Sequence, residues 1–327
     1  MNANGLADWI ARNRWIWSFL GVLALWGILA TLTNHLSLGS LSGVAVSSSF
    51  LTLVAIGQMA VVTTGGGNID LSIASVMTLS AYVALIVMGG HDERLAYGLA
   101  ATLALGLVVG GVNAALVLLA RIPAIIATLA TGYILATASL LANRAIPGFT
   151  IAPTLRLVAT ARSSGVPIMG YVALFVVGSA SLVLNKTAFG RTLSATGQNA
   201  VAARLAGVRT VRVAAVAFLV SSVLAAFTGL LLGAYVGGAF LEMGQPFLLQ
   251  SLGAVVLGGT LIFGGAPTAL GSLFGAVLLV LIVTTMQIAQ LPPGAQDVVE
   301  GVVIICVLAL AGGMTARTRK VVRTGDT

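Results

Sequence analysis

Few residues in this 327-residue chain could perform acid–base, nucleophilic or metal chemistry. There are eight Asp and Glu, two His, one Cys and two Lys. A phosphate-cradling loop needs G-x-x-x-x-G-K-[ST], because its lysine meets the terminal phosphates. Gly259 and Gly264 have the glycine spacing, but the chain continues into Gly265 and Ala266. Lys186 follows Asn185 and Lys320 follows Arg319, so neither closes such a loop. ATP hydrolysis by this chain is therefore not expected. His35 and His91 fall in loops with no nucleophile or metal-ligating neighbour, and Cys306 stands alone in an apolar run. Neither a disulfide framework nor a metal site is expected, and no residue is assigned a catalytic role.

Asp70 differs from the other acidic residues. Asp92, Glu93 and Glu242 read as loop residues, and Asp297 and Glu300 border the last apolar run. Asp70 lies in Gly65-Gly66-Gly67-Asn68-Ile69-Asp70-Leu71-Ser72, between two long apolar stretches. An ionisable group at membrane depth is a functional candidate. Asp or Ser at a helix start also caps free N–H groups and complements the helix dipole. The two roles are compatible. Three glycines in a row allow a sharp reversal, or a broken helix lining a cavity.

The elements that must position these residues follow from composition. The chain is 58% apolar and 7% charged, against about one quarter charged in a soluble domain. It belongs in a bilayer, which excludes a secreted enzyme, a soluble binding domain and a disordered chain. Net charge is +8 and the pI is near 10.6. The basic residues nevertheless fall in short breaks between apolar runs, which marks membrane topology rather than a nucleic-acid surface. A membrane helix needs about 20 apolar residues. Dividing the chain at charges, prolines and Gly/Asn/Ser clusters predicts spans over 15–32, 44–64, 72–89, 95–119, 123–142, 166–185, 213–236, 248–263, 267–289 and 296–313.

The expected fold is thus an all-α polytopic membrane bundle of about ten transmembrane helices, with both termini cytoplasmic. Arg12, Arg14, Arg121, Lys186, Arg191, Arg204, Arg209, Arg212, Arg317, Arg319, Lys320 and Arg323 then share the cytoplasmic side. Arg94, Arg144, Arg156 and Arg162 lie opposite, so the positive-inside rule is satisfied. The apolar run after Arg14 is longer than a signal-peptide core and reads as a first span, with Trp15 and Trp17 as interfacial anchors. The expected organisation is a cytoplasmic segment 1–14, a permease domain 15–313 and a basic cytoplasmic tail 314–327. Glycine pairs four apart, Gly106/Gly110, Gly229/Gly233/Gly237 and Gly271/Gly275, predict close helix packing.

The largest polar interruption is 186–212, with Asn185 at its edge. Asn199 suits an N-cap, 200–206 has high helix propensity, and Gly207 suits the C-terminal position. Such a helix is too short to span. It can meet anionic headgroups, or it can dock a cytoplasmic partner; residue chemistry leaves both open.

Four blocks in order resemble the inner-membrane permease subunits of bacterial ABC importers of the ribose-type sugar family. GGGNIDLSIAS (65–75) looks like the family's GGIDLSVGS, with Asn68 inserted and Ala74 where Gly is usual. IATLATGYI (126–134) is similar to its IATL segment. FGRTLSATGQNAVAARLAGV (189–208) resembles its coupling segment, and LGAVVLGGTLIFGGAPTALGSLFGA (252–276) its VLGGTS block. The resemblance implies a permease that pairs with a second permease chain, identical or homologous, around a central path. It also implies a cytoplasmic ABC ATPase using ATP and Mg, and a periplasmic solute-binding protein. No cofactor is implied in this chain, and its remaining partner is membrane lipid. Gly197, Asn199, Ala202, Arg204, Leu205 and Gly207 match the coupling motif; the family's acidic residue there is Ala200. Relatives often carry acidic residues where this chain has Leu248 and Gln250.

The tryptophans, Trp9, Trp15, Trp17 and Trp26, are all N-terminal, away from any path suited to stacking a sugar. Gln58, Ser72, Asn113, Thr128 and Thr131 are expected chiefly as interhelical hydrogen-bond partners. The residues assigned to a translocation path or gate are Asp70, Ser72, Asn68, Thr128 and Thr131. The function expected is passage of a sugar or sugar-like small polar solute, through a path that binds weakly and leaves selectivity to the binding protein. The alternatives are an amino-acid or nucleoside importer permease of the same superfamily, an ion-coupled secondary transporter titrating Asp70, and a passive channel.

Overall fold

In lipid the backbone must satisfy its own polar groups, so apolar runs of this length become helices. The computed structural model describes residues 13–33, 38–145, 148, 150–306 and 309. Trp9, Arg12, His35 and the 314–327 tail with its four basic residues lie outside the described residues. In chain order the helices are α1 (Ile16–Thr33), α2 (Leu38–Thr63), α3 (Ile73–Met88), α4 (Leu95–Ala114), α5 (Ala124–Ala145), α6 (Pro153–Thr160) and α7 (Ile168–Lys186). They continue as α8 (Ala188–Gln198), α9 (Ala200–Leu205), α10 (Thr210–Val236), α11 (Gln245–Leu257) and α12 (Ala269–Ile288). A last helix, α13, occupies 293–306. A 3-10 turn, Asp92–Arg94, leads into α4, which runs on through a π turn, Ala115–Leu119.

The chain is an all-α polytopic membrane bundle. Among the described residues six helices are long and apolar enough to cross a membrane: those within 42–63, 92–119, 124–145, 168–186, 210–236 and 269–288. Three more are apolar but shorter, Ile16–Thr31, Ile73–Met88 and Gln245–Leu257.

The expected span over 248–263 is corrected: its helix ends at Leu257. The apolar tract continues through GGTLIFGGAPT, but Gly259, Gly264 and Gly265 adopt positive φ, which a helix cannot accommodate. Two features had no counterpart in the expectation. The segment between α5 and α7 holds α6 and a two-residue antiparallel hairpin, Arg162–Ser163 with Val166–Pro167. Asp92 fixes this layer by accepting from the N–H and hydroxyl of Thr154 in the first turn of α6, at 2.9 and 2.8 Å.

The glycine pairs behave as expected with one exception. A Cβ on Gly106 or Gly110 would stand 2.8 Å from the Cα of Val223 or Leu219, so α4 and α10 meet backbone to backbone. Gly229 abuts Met77, and Gly271 and Gly275 abut Gly258 and Ala254. Gly237 has open space around it and ends α10 at φ 88° instead of packing.

Two half-length helices meet at the centre. α3 runs beside the second half of α10: Asp70 reaches Ser221, Gly229 faces Met77, and Gly233 faces Ala81. After Gly237 the chain turns back along α3 until the Gly244 N–H donates to Thr78 Oγ1 at 3.2 Å. α11 therefore begins near the first turn of α3. At 13 residues it is about 20 Å long, well short of a bilayer. α2, loop, α3 and α4 are thus matched by α10, loop, α11 and α12. α2 packs on α10, α11 and α12, while α10 packs on α2, α3 and α4. α2 and α10 run antiparallel, Gly57 facing Ser221 and Ala60 sharing a cluster with Phe218. The arrangement is that of an inverted repeat.

Candidate functional site

The site begins where the three glycines release the chain from α2. Gly65, Gly66 and Gly67 all have positive φ, so Asn68–Leu71 turns back into the bundle rather than continuing the helix. Asp70 arrives fully enclosed, 1% exposed, with Ser72, Gln58, Asn113 and Thr128 all at 0%. Its Oδ1 accepts from the Ser72 N–H at 3.0 Å and the Ser72 hydroxyl at 2.6 Å. Its Oδ2 accepts from the Ser221 hydroxyl at 2.8 Å, across to α10. Asn113 on α4 donates from Nδ2 to Ser72 Oγ at 2.8 Å. Thr128 Oγ1 on α5 accepts from the Leu71 N–H at 2.9 Å. On α2, Gln58 Oε1 lies 3.4 Å from the Asp70 N–H.

The carboxylate itself joins the start of α3 to α10, and the Asp70–Ser72 segment adds α2, α4 and α5 through Gln58, Asn113 and Thr128. Ser72 makes no side-chain cap bond to its helix; Asp70 takes over that task by accepting the Ser72 N–H. Asp70 is thus a buried cap that also bridges to α10. Among the described residues, Gln58 Nε2 and Asn113 Oδ1, the far ends of two groups touching the cluster, find no hydrogen-bond partner. A buried polar end left unpaired costs about 1–3 kcal/mol, so this region is polar beyond what packing requires.

The five residues assigned to a path or gate do not form one group. Asp70, Ser72 and Thr128 share the network. Asn68 is half-buried and donates from Nδ2 to Thr64 Oγ1 at 2.9 Å. Thr131 turns its hydroxyl back to Ala127 O at 3.0 Å within α5. Ser221 was not singled out from the sequence. Its signal was the adjacent Ser221-Ser222 pair midway along the 27-residue apolar helix α10.

The segment 186–212 folds into two helices where one was expected. α8 starts at Thr187, whose hydroxyl accepts from the Gly190 N–H, and α9 starts at Asn199. Asn199 Oδ1 accepts from the Val201 and Ala202 N–H groups, both at 3.0 Å. Gly207 follows α9 at φ 85°, the left-handed position expected of it. α9 buries Ala203 and exposes much of the rest: Val201 is 60% and Leu205 85% exposed, beside exposed Arg204. Gly197 faces inward instead, against the end of α2 and the Gly264–Gly265 turn. Ala202 and Gly207 are exposed.

The chain matches the family model described as "Branched-chain amino acid transport system / permease component" over residues 40–308. It is similar to the autoinducer 2 import system permease protein LsrC of Enterobacter sp. (strain 638), 34% identical over 93% of this chain and 88% of the relative. It resembles the protein of the same name from Yersinia pseudotuberculosis serotype O:1b (strain IP 31758), 31% identical over 97% and 90%. A third, from Photorhabdus luminescens, is 30% identical over 95% and 94%. No solved structure matches the chain.

Proposed function

The chain belongs to the family of transport-system permease components, a multi-pass inner-membrane protein of an importer, and from that premise we propose how it works. It crosses the membrane ten times with both termini in the cytoplasm, the half-length helices α3 and α11 counting as spans together with their loops. Residues 1–14 and 314–327 are cytoplasmic and 15–313 form the permease domain. A separate ABC ATPase supplies ATP hydrolysis with Mg and docks on 186–212. A second permease chain completes the path, and a periplasmic binding protein delivers the solute.

The observation that carries this reading is α9. It is a capped helix that presents Val201, Arg204 and Leu205 outward from a bundle whose other large exposed apolar residues lie mostly on long lipid-length helices. A surface helix with apolar and cationic side chains together, held rigid at Asn199, suits a protein groove. Asn199 and Gly207 set its ends and Ala202 its small flank, while Gly197 turns inward against Thr63 and Gly265, off the docking face, and ties the segment to the bundle.

The solute is proposed to be a small, sugar-like polar molecule of the autoinducer 2 kind, which the names of the relatives specify for them. An amino acid is the second reading, favoured by the family's description. The path passes by the α3 start, where Asp70, Ser72 and Thr128 hold the gate closed and Asn68 and Thr131 flank it. The test is uptake into vesicles carrying the permease, its ATPase and its binding protein. Autoinducer 2 uptake that needs ATP and is not competed by leucine is expected. Uptake that follows a pH gradient and persists without ATP would overturn the reading in favour of an ion-coupled carrier.

A further inference from the structure

Three glycine-bearing turns from distant parts of the chain meet at one point. A Cβ on Gly197, at the end of α8, would overlap the Thr63 carbonyl oxygen and the Gly265 amide nitrogen. A Cβ on Gly65 would lie 3.0 Å from the carbonyl oxygens of Gly197 and Phe263. One on Gly264 would lie 2.5 Å from the Gly65 Cα and 3.0 Å from the Gly197 oxygen. Hydrogen bonds fasten the same point. The Gly265 N–H donates to Thr63 O at 3.0 Å, and Gln198 Nε2 donates to Gly265 O at 3.1 Å.

The three turns have different destinations. Thr63 ends α2, and Gly65 opens the loop that reaches Asp70. Gly264 and Gly265 lie between α11 and α12. Gly197 and Gln198 are the last residues of α8, immediately before the capped start of α9. We infer that Gly197 and Gln198 are positioning residues that lock the cytoplasmic α8–α9 element to the loops of both half-length helices, so that a displacement of α9 moves the α3 start and the α11 end together. Backbone packed on backbone contains no side chain that could absorb the motion by changing rotamer, and such contacts shift as units. The other link from α9 runs through Gly207 into α10.

The inference rests on the proposed ATPase docking, and the experiment separates the two. Phe263, 58% exposed, is replaced by Cys in a Cys306→Ser background, and the importer is assembled with its ATPase in nanodiscs. Maleimide labelling is then followed with and without Mg-ATP. With the junction intact, Mg-ATP is expected to change the labelling rate about tenfold, the size of an ordinary coupling between sites. With Gly197→Ala the change is expected to vanish while the ATPase copurifies at native yield. Gln198→Ala adds no atom and keeps the test open should Gly197→Ala fail to fold; it is expected to shrink the ATP response several-fold with docking intact. A full ATP response in Gln198→Ala, or in a folded Gly197→Ala, overturns the inference. Loss of the ATPase from either variant overturns it too, since the residue would then belong to the dock. Failure of the unsubstituted chain to copurify the ATPase overturns the docking reading and the inference with it.

Discussion

Asp70 is the residue on which most of the bundle converges, and each of its oxygens has a defined partner. Ser221→Ala leaves Oδ2 buried without its donor, a loss of about 1–3 kcal/mol. The expected outcome is a lowered unfolding midpoint in detergent and reduced transport, with unchanged ATPase copurification. Asp70→Asn removes the charge that draws the Ser72 and Ser221 donors, and its amide N–H₂ can meet Ser221 only if that hydroxyl turns to accept. It is expected to destabilise the protein by a similar amount and to weaken uptake; complete loss of uptake at native stability would show that the charge itself takes part in gating. The carboxylate stood out in the sequence because acidic residues are so scarce. Its partner Ser221 lies 151 residues away, and nothing local relates a serine on one apolar run to an aspartate beside another.

At the scale of elements, α9 and its cap were legible. Asn199, an alanine-rich run and Gly207 are a local signature, and local signatures survive folding because they concern a helix's own N–H groups. Asn199→Ala removes the one oxygen that accepts from two N–H groups and is expected to cost about 1 kcal/mol of helix stability, seen as weaker ATPase copurification. Arg204→Glu and Gly207→Pro are expected to abolish copurification while leaving the membrane bundle folded, judged by size-exclusion and circular dichroism. Copurification at native yield with both would show that 186–212 is not the dock. α11 was less legible. Hydropathy reads 248–263 as one apolar run, but that run contains glycines at positive φ, and what fixes the start of α11 is the docking of Gly244 against Ala74 and Thr78. Gly110→Val tests the same kind of contact between α4 and α10. With only 2.8 Å to the Leu219 Cα, a side chain there is expected to cost about 1–3 kcal/mol or more.

For the whole molecule, the proposed ten-span topology places α9 and the β-hairpin on opposite sides of the membrane, at the two ends of α7. In a Cys306→Ser background, Leu205→Cys should label with an impermeant maleimide only in inside-out vesicles. Val166→Cys, 43% exposed, should label only in right-side-out ones. Labelling of both from one side would break the topology. The inverted repeat gives this arrangement a purpose, since two half-length helices starting near the same depth leave the bundle centre held by side-chain hydrogen bonds and short loops, which are easier to rearrange than continuous helices.

Residue order alone determined that the chain lives in lipid, where its helices lie to within a few residues for most spans, and that a capped helix sits in 186–212. All of these depend on local composition, because in a bilayer each span must satisfy its own backbone and each loop its own charge. Tertiary structure alone decided that Asp70 reaches Ser221, that α11 is half a span, and that Gly65, Gly197 and Gly264 touch. These are contacts between residues far apart in the chain, made by helices that are apolar on nearly every face. Hydropathy cannot rank one such face above another, so only the close fit of small residues and the pairing of buried polar groups selects which of them meet.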